Sequence, residues 1–165
     1  MVLDVDQVDH VRGSGLLEIV EYGDYECPYS LRAYSEIESI EDLVAIRFVF
    51  RHFPLTEIHP HALAASAAAE AAAVQRHFWQ MHELLFGRQE ALEVADLLAY
   101  AAEIGLDAER FLEDVGSEGV LTRIRRDVQS GIATGEVHGT PTLFIDGEVH
   151  RGSYDAGALL EAIGA

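Results

Sequence analysis

Apolar and polar positions alternate between short dense runs and helical spacings along this chain. Residues 16 to 23, LLEIVEYG, are rich in apolar and β-favouring side chains and predict a buried strand. A helix is expected from Pro28, since proline suits the first helical position, through SLRAYSEIESI to about Ile40. Residues 45 to 50, AIRFVF, predict a second strand, and RHFPLTEIHP (51 to 60) predicts a loop broken by Pro54 and Pro60. From about His61 to Gly87 the chain is alanine-dense and favours helix. Residues 93 to 105 and 107 to 116 predict two short helices closed by glycine, with Asp107 as an N-cap, and residues 119 to 135 one more. The strand signal returns in TPTLFIDGEVHRG (140 to 152), where Asp146-Gly147 marks a hairpin turn. A last helix follows Asp155.

The order is therefore β-α-β, a helical block, then β-β-α. It predicts one α/β domain with its core over about residues 14–58 and 136–165, and a helical sub-domain inserted over about residues 59–135. Neither repeats nor a low-complexity linker divide it.

Composition narrows the partners. The formal net charge is −18, and all 11 basic residues are arginine. A field this negative opposes phosphate backbones and anionic lipid, so neither nucleic acid nor membrane is expected as a partner. Lack of lysine fits a codon bias and fits a surface adapted to high salt equally well. The apolar runs fall short of a membrane span. MVLDVDQVDHVRGSG has no basic segment leading into an apolar one, so a cytoplasmic location is expected. A single cysteine forms no internal disulfide, which suits a reducing compartment.

That cysteine, Cys27, lies at the predicted strand-to-helix junction, directly before Pro28. A sulfur at a helix start faces unpaired N–H groups and the positive end of the helix dipole, and both favour thiolate. Asp24 and Glu26 act the other way unless their side chains point elsewhere. A lone cysteine also has a plain reading, as a small buried hydrophobe. Ser30 is open to three readings: a hydroxyl beside the thiolate, a first-turn serine satisfying a backbone group, or a cysteine-to-serine trap for mixed disulfides.

Cys-Pro-Tyr-Ser at 27 to 30 and Gly-Thr-Pro-Thr at 139 to 142 make a resemblance specific. With EYGDYECPYS, RHFPL (51 to 55), HPHA (59 to 62), FWQMH (78 to 82) and GTPTLFI (139 to 145), the chain resembles the DsbA-like thioredoxin-fold thiol–disulfide oxidoreductases. The likeness runs from about Asp9 onward and is greatest to a branch whose relatives include domains appended to sodium/proton antiporters. It implies a thioredoxin fold with a helical insertion and a cis-proline, matched by Pro141, beside the reactive cysteine. It also implies substrate contacts from Pro28, Tyr29, Thr140 and Pro141. Ser30 departs from the pattern, because family members usually carry a second cysteine there.

A hydroxyl does not displace a thiol from sulfur, so Ser30 cannot resolve a mixed disulfide on Cys27. The expectation is a monothiol enzyme that reduces or isomerises disulfides and is released by an outside thiol. Glutathione or another low-molecular-weight thiol would be co-substrate, with no bound cofactor, and the partner would be a cysteine-containing protein or peptide, or a small thiol. Two rival readings are a redox-inactive module that binds peptide or protein in the same groove, and a glutathione-dependent transferase or isomerase.

The remaining motifs carry less. His59, His61, His77 and His82 lack the spacing of a helical ligand pair, so no metal is expected. His52 and His138 predict hydrogen-bonding or surface roles, with His138 adjoining the GTPT motif. Arg123, Arg125 and Arg126 predict a solvated helix face pairing with nearby acids, and Phe78 and Trp79 are expected to pack the insert.

Overall fold

The computed structural model describes residues 2 and 4–164. Its order is β1 (His10–Arg12), β2 (Leu17–Gly23), α1 (Pro28–Glu41), β3 (Ile46–His52), α2 (Ala62–Val74), α3 (Phe78–Gly87), α4 (Val94–Glu103), α5 (Ala108–Val115), α6 (Glu118–Thr134), β4 (Thr142–Ile145), β5 (Glu148–Val149) and α7 (Ala156–Ala162). One sheet runs β1-β3-β2-β4-β5, with β2 and β3 parallel and the other neighbours antiparallel. This is a thioredoxin fold with the helices α2 to α6 inserted between β3 and β4.

The pleat sorts the core onto two faces. Ile19, Ile46, Phe48 and Phe50 face α1 and the insert, where Tyr34, Ile37, Ala68, Met81 and Phe86 close over them. Val20, Tyr22, Val49 and Phe144 face the other way, against Val2 and Val137. Phe78 and Trp79 seat the insert on the sheet, Trp79 lying 5.8 Å from Phe48 between ring centroids.

Three expectations about the strands and helices change. The sheet starts at β1, ahead of residue 14, where His10 to Arg12 pair with Phe50 to Phe48. β3 runs on through Arg51 and His52, which the sequence reading placed in a loop because they are polar. Both are fully buried, since Arg51 pairs with Asp9 at 2.9 Å and His52 with Glu70 at 2.7 Å. The alanine-rich stretch is two helices. Arg76 takes the left-handed conformation (φ 64°), and the N–H groups of Arg76 and His77 return to the carbonyls of Ala73 and Ala72, ending α2 as a glycine would. The Gln75 amide then locks onto the backbone of Asp107, which caps α5.

The other caps fall as expected. Asp155 accepts from Ala158 N–H, and Asp146 and Gly147 both take positive φ in the β4–β5 turn. All three arginines pair with acids, Arg123 with Asp127, Arg125 with Glu118 and Arg126 with Asp6 and Asp9, but only Arg125 lies in solvent. Arg123 and Arg126 are partly buried and hold the N-terminal segment, Arg123 through the Val8 carbonyl. Among the described residues, no helix is long and apolar enough to cross a membrane.

Candidate active site

β2 ends and α1 begins within five residues, and Cys27 stands in the join. Its N–H donates to the Asp24 carbonyl at 3.0 Å, closing a turn that hands the chain to Pro28 at the first helical position. Cys27 is the N-cap, with extended backbone (φ −83°, ψ 118°) and no side-chain oxygen capping the helix. The free N–H groups of the first turn and the positive end of the dipole thus lie at the sulfur's end of α1.

The thiol is 3% exposed and donates to the Thr140 carbonyl at 3.4 Å. Tyr22 of β2 pairs with Thr142 of β4, which brings the two motifs together, and the Thr140–Pro141 peptide bond is cis. Thr142 Oγ1 donates to the Gly139 carbonyl at 2.7 Å and fixes that turn. Pro28 and Tyr29 lie outward, Tyr29 being 62% exposed.

Ser30 is fully buried, and its Oγ accepts the Asp24 N–H at 3.1 Å. The serine therefore braces the turn, and its hydroxyl hydrogen is the donor it has left to give.

The two acids flanking the turn point elsewhere. Asp24 is buried and accepts from the N–H groups of Glu26 and Leu55 and from His59 Nδ1, all at 2.8 Å. Glu26 accepts from His61 N–H and Nδ1 at 2.7 and 2.9 Å. His61 also donates through Nε2 to Glu93, and these two carboxylates raise its pKa, Glu26 first. The HPHA motif thus supplies the partners of Asp24 and Glu26. His77 Nδ1 meets the Gln75 carbonyl and His82 Nδ1 the Tyr25 hydroxyl, so each of the four histidines weighed for a metal has a different hydrogen-bond partner.

Two site residues escaped the sequence reading. Glu21, on β2, is buried with both carboxylate oxygens unpaired. Burial, reinforced by the Cys27 sulfur, pushes its pKa well above the carboxylate range, so it is held protonated beside the thiol. The usable signal was an acid at an inward position of an apolar strand. Gln89 follows α3, and its Nε2 donates to the carbonyls of Tyr25 and Cys27, each at 2.8 Å. Nothing in the local sequence marks it.

Clefts flank the cysteine turn. Glu26, Pro28, His61, Gln89, Glu90, Leu92 and Glu93 line one of about 400 Å³. Another of about 370 Å³ lies between residues 54–58 and the exposed His138, two residues ahead of Thr140.

A family model described as Thioredoxin matches residues 10–165. The chain is 46% identical over 158 residues to the Na(+)/H(+) antiporter NhaA 1 of Salinispora arenicola, covering 94% of this chain and 24% of that protein. It is 46% identical over 166 residues to the Na(+)/H(+) antiporter NhaA of Herminiimonas arsenicoxydans, covering 94% and 26%. The chain thus spans about a quarter of the length of these relatives. Among solved structures, a thioredoxin-like oxidoreductase from Silicibacter pomeroyi superposes with a TM-score of 0.85 at 28% identity, over 96% of this chain and 92% of that one. BdbD from Bacillus subtilis superposes with a TM-score of 0.83 at 22% identity, over 96% and 92%, a likeness of fold.

Proposed function

Because the chain belongs to the thioredoxin family and superposes on a thioredoxin-like oxidoreductase, we propose that it carries out monothiol disulfide exchange through Cys27, in the manner of a DsbA-like thiol–disulfide oxidoreductase. The carrying observation is the placement of the one cysteine at the uncapped start of α1, in contact with the turn that holds the cis Thr140–Pro141 bond.

The Cys27 thiolate attacks one sulfur of a substrate disulfide, forming the mixed disulfide and expelling the other sulfur as thiolate. An outside thiol then attacks the Cys27 sulfur of that bond, releasing the substrate as thiolate, and a second outside thiol attacks the small-thiol sulfur of the resulting adduct and returns Cys27. Alternatively, the substrate's own second cysteine attacks the substrate sulfur and returns Cys27 directly. The first outcome is reduction at the outside thiol's expense; the second is isomerisation with no net redox change. No bound cofactor takes part. Burial first, and then the Cys27 sulfur, favour the protonated form of Glu21, which spares a thiolate at Cys27 a buried negative neighbour. The backbone of Thr140 and Pro141, with Pro28 and Tyr29, forms the surface on which a cysteine-containing protein or peptide would lie. Glutathione or an equivalent small thiol serves as releasing partner in the cytoplasm.

The burial of Cys27 favours a second reading, a redox-inactive module that holds a peptide in the same groove. Incubation of the reduced protein with glutathione disulfide separates the two. Monothiol exchange gives one glutathionyl adduct by intact mass, removed by added thiol and absent in Cys27→Ser. Failure of the native protein to form the adduct, with adduct appearing after unfolding, selects the binding module.

A further inference from the structure

Three buried or half-buried side chains outside the exchange site converge on one point. His10 comes from β1, His52 from the end of β3 and Glu70 from the middle of α2. The Nε2 atoms of both histidines reach the same oxygen, Glu70 Oε1, at 2.6 and 2.7 Å, and the donor atoms of all three lie within 4.8 Å of one another. The rings are held by aromatic neighbours. His10 lies flat on Phe78, centroids 3.5 Å apart, and His52 stands edge-on to Phe50 and Phe78.

We propose that His10, His52 and Glu70 form a zinc-binding site. Two imidazoles and one carboxylate are the donor set of three-ligand zinc sites that leave a fourth position open. Calcium and magnesium ask instead for a shell of oxygens. Zinc bonds of about 2.0–2.1 Å in a tetrahedron put ligand atoms about 3.3 Å apart. The present nitrogen–oxygen separations must therefore widen by roughly 0.6 Å. His10, on the three-residue edge strand β1 and partly exposed, is the ligand free to make that movement. The strongly acidic surface raises the local cation concentration.

One feature of the site limits its strength. A coordinating imidazole keeps its proton on the other nitrogen, which normally meets an acceptor. His52 Nδ1 is buried without one, so binding about ten- to a hundredfold weaker than in a site with that partner is expected. Occupied, the ion ties β1, β3 and α2 together behind Tyr25, whose ring centroid lies 5.9 Å from that of His52.

The test titrates zinc chloride into the full chain, and into Cys27→Ala, against a chromophoric chelator; the variant removes the one thiolate that would compete. One equivalent is expected to bind in both. Glu70→Gln keeps an oxygen acceptor for the imidazoles, and His10→Phe keeps a ring on Phe78. Each should weaken zinc by more than about tenfold, the upper part of the range seen for loss of even an outer-shell partner being about a hundredfold. His61→Ala should leave binding unchanged. X-ray absorption on the zinc-loaded unaltered protein should show two imidazoles, oxygen and no sulfur, a readout no misfolded variant can disturb. The proposal is overturned by absence of stoichiometric binding, by a sulfur or single-imidazole shell, or by undiminished binding in a folded Glu70→Gln. Any of these leaves the triad as a hydrogen-bonded clasp.

Discussion

The side-chain amide of Gln89 donates both its hydrogens to the turn that carries Cys27, one to the Cys27 carbonyl and one to that of Tyr25. The inserted helices thereby hold the backbone of the cysteine turn directly. Two neutral hydrogen bonds at about 0.5–1.5 kcal/mol each predict a loss of about 1–3 kcal/mol in Gln89→Ala, read by urea unfolding. Gln89→Glu should cost at least as much, because a carboxylate has no hydrogen to offer two carbonyl oxygens. Equal stability of wild type and Gln89→Glu would show that the amide does not carry this turn.

Glu21 predicts a pH signature. Its folded pKa is raised well above the ordinary value by burial first and then by Cys27, so the folded protein keeps a proton that the unfolded chain releases above about pH 4.5. Stability supplied by that proton is complete below the unfolded pKa and is lost as pH rises toward the folded one. The slope is about 1.4 kcal/mol per pH unit while the two states differ by one proton. Glu21→Gln should remove this component. The difference in unfolding free energy between variant and wild type should then grow from pH 4.5 upward in favour of the variant. A difference that does not change with pH would refute a protonated Glu21.

His82 titrates with the opposite sign. Burial first, then the positive charge of Arg12, holds its pKa well below 6.5, so the folded state keeps a neutral ring while the unfolded chain gains a proton below that pH. Stability is therefore present above pH 6.5 and falls as pH drops toward the folded pKa. His82→Phe, placed among Phe50, Phe78 and Phe86, should lose this slope. At neutral pH it should be about 1–3 kcal/mol less stable, because the buried Tyr25 hydroxyl loses its partner. Thermal melts between pH 5 and 7.5 read both effects.

What the sequence disclosed follows from where its information is local. Cys27, Pro28, Thr140 and Pro141 could be singled out because strand endings, helix starts and short motifs are contiguous in the chain. Arg51 and His52 misled for the same reason. Their charge reads as surface, and the partners that allow burial, Asp9 and Glu70, stand 42 and 18 residues away. The break at Arg76 carries neither glycine nor proline; a lock between Gln75 and Asp107, 32 residues apart, accompanies it. Gln89 acts on Cys27 across 62 residues, and only the folded insert brings them together.

Ser30 offers the most direct test of monothiol chemistry. It occupies the first turn of α1, three residues beyond Cys27, where side chains are neighbours. Ser30→Cys replaces the oxygen that accepts the Asp24 N–H with a weaker sulfur acceptor, so the reduced variant should lose about 0.5–1.5 kcal/mol. In exchange it gains the group the wild type lacks. Once Cys27 carries a glutathionyl adduct, the new thiolate can attack Cys27 sulfur, expel glutathione and leave an internal disulfide. Mass spectrometry should show the adduct persisting in wild type until thiol is added. In Ser30→Cys it should decay unaided to a species lacking two hydrogens. If both proteins hold the adduct equally long, the side chain at position 30 cannot reach the sulfur, and the wild-type serine is there for the turn alone.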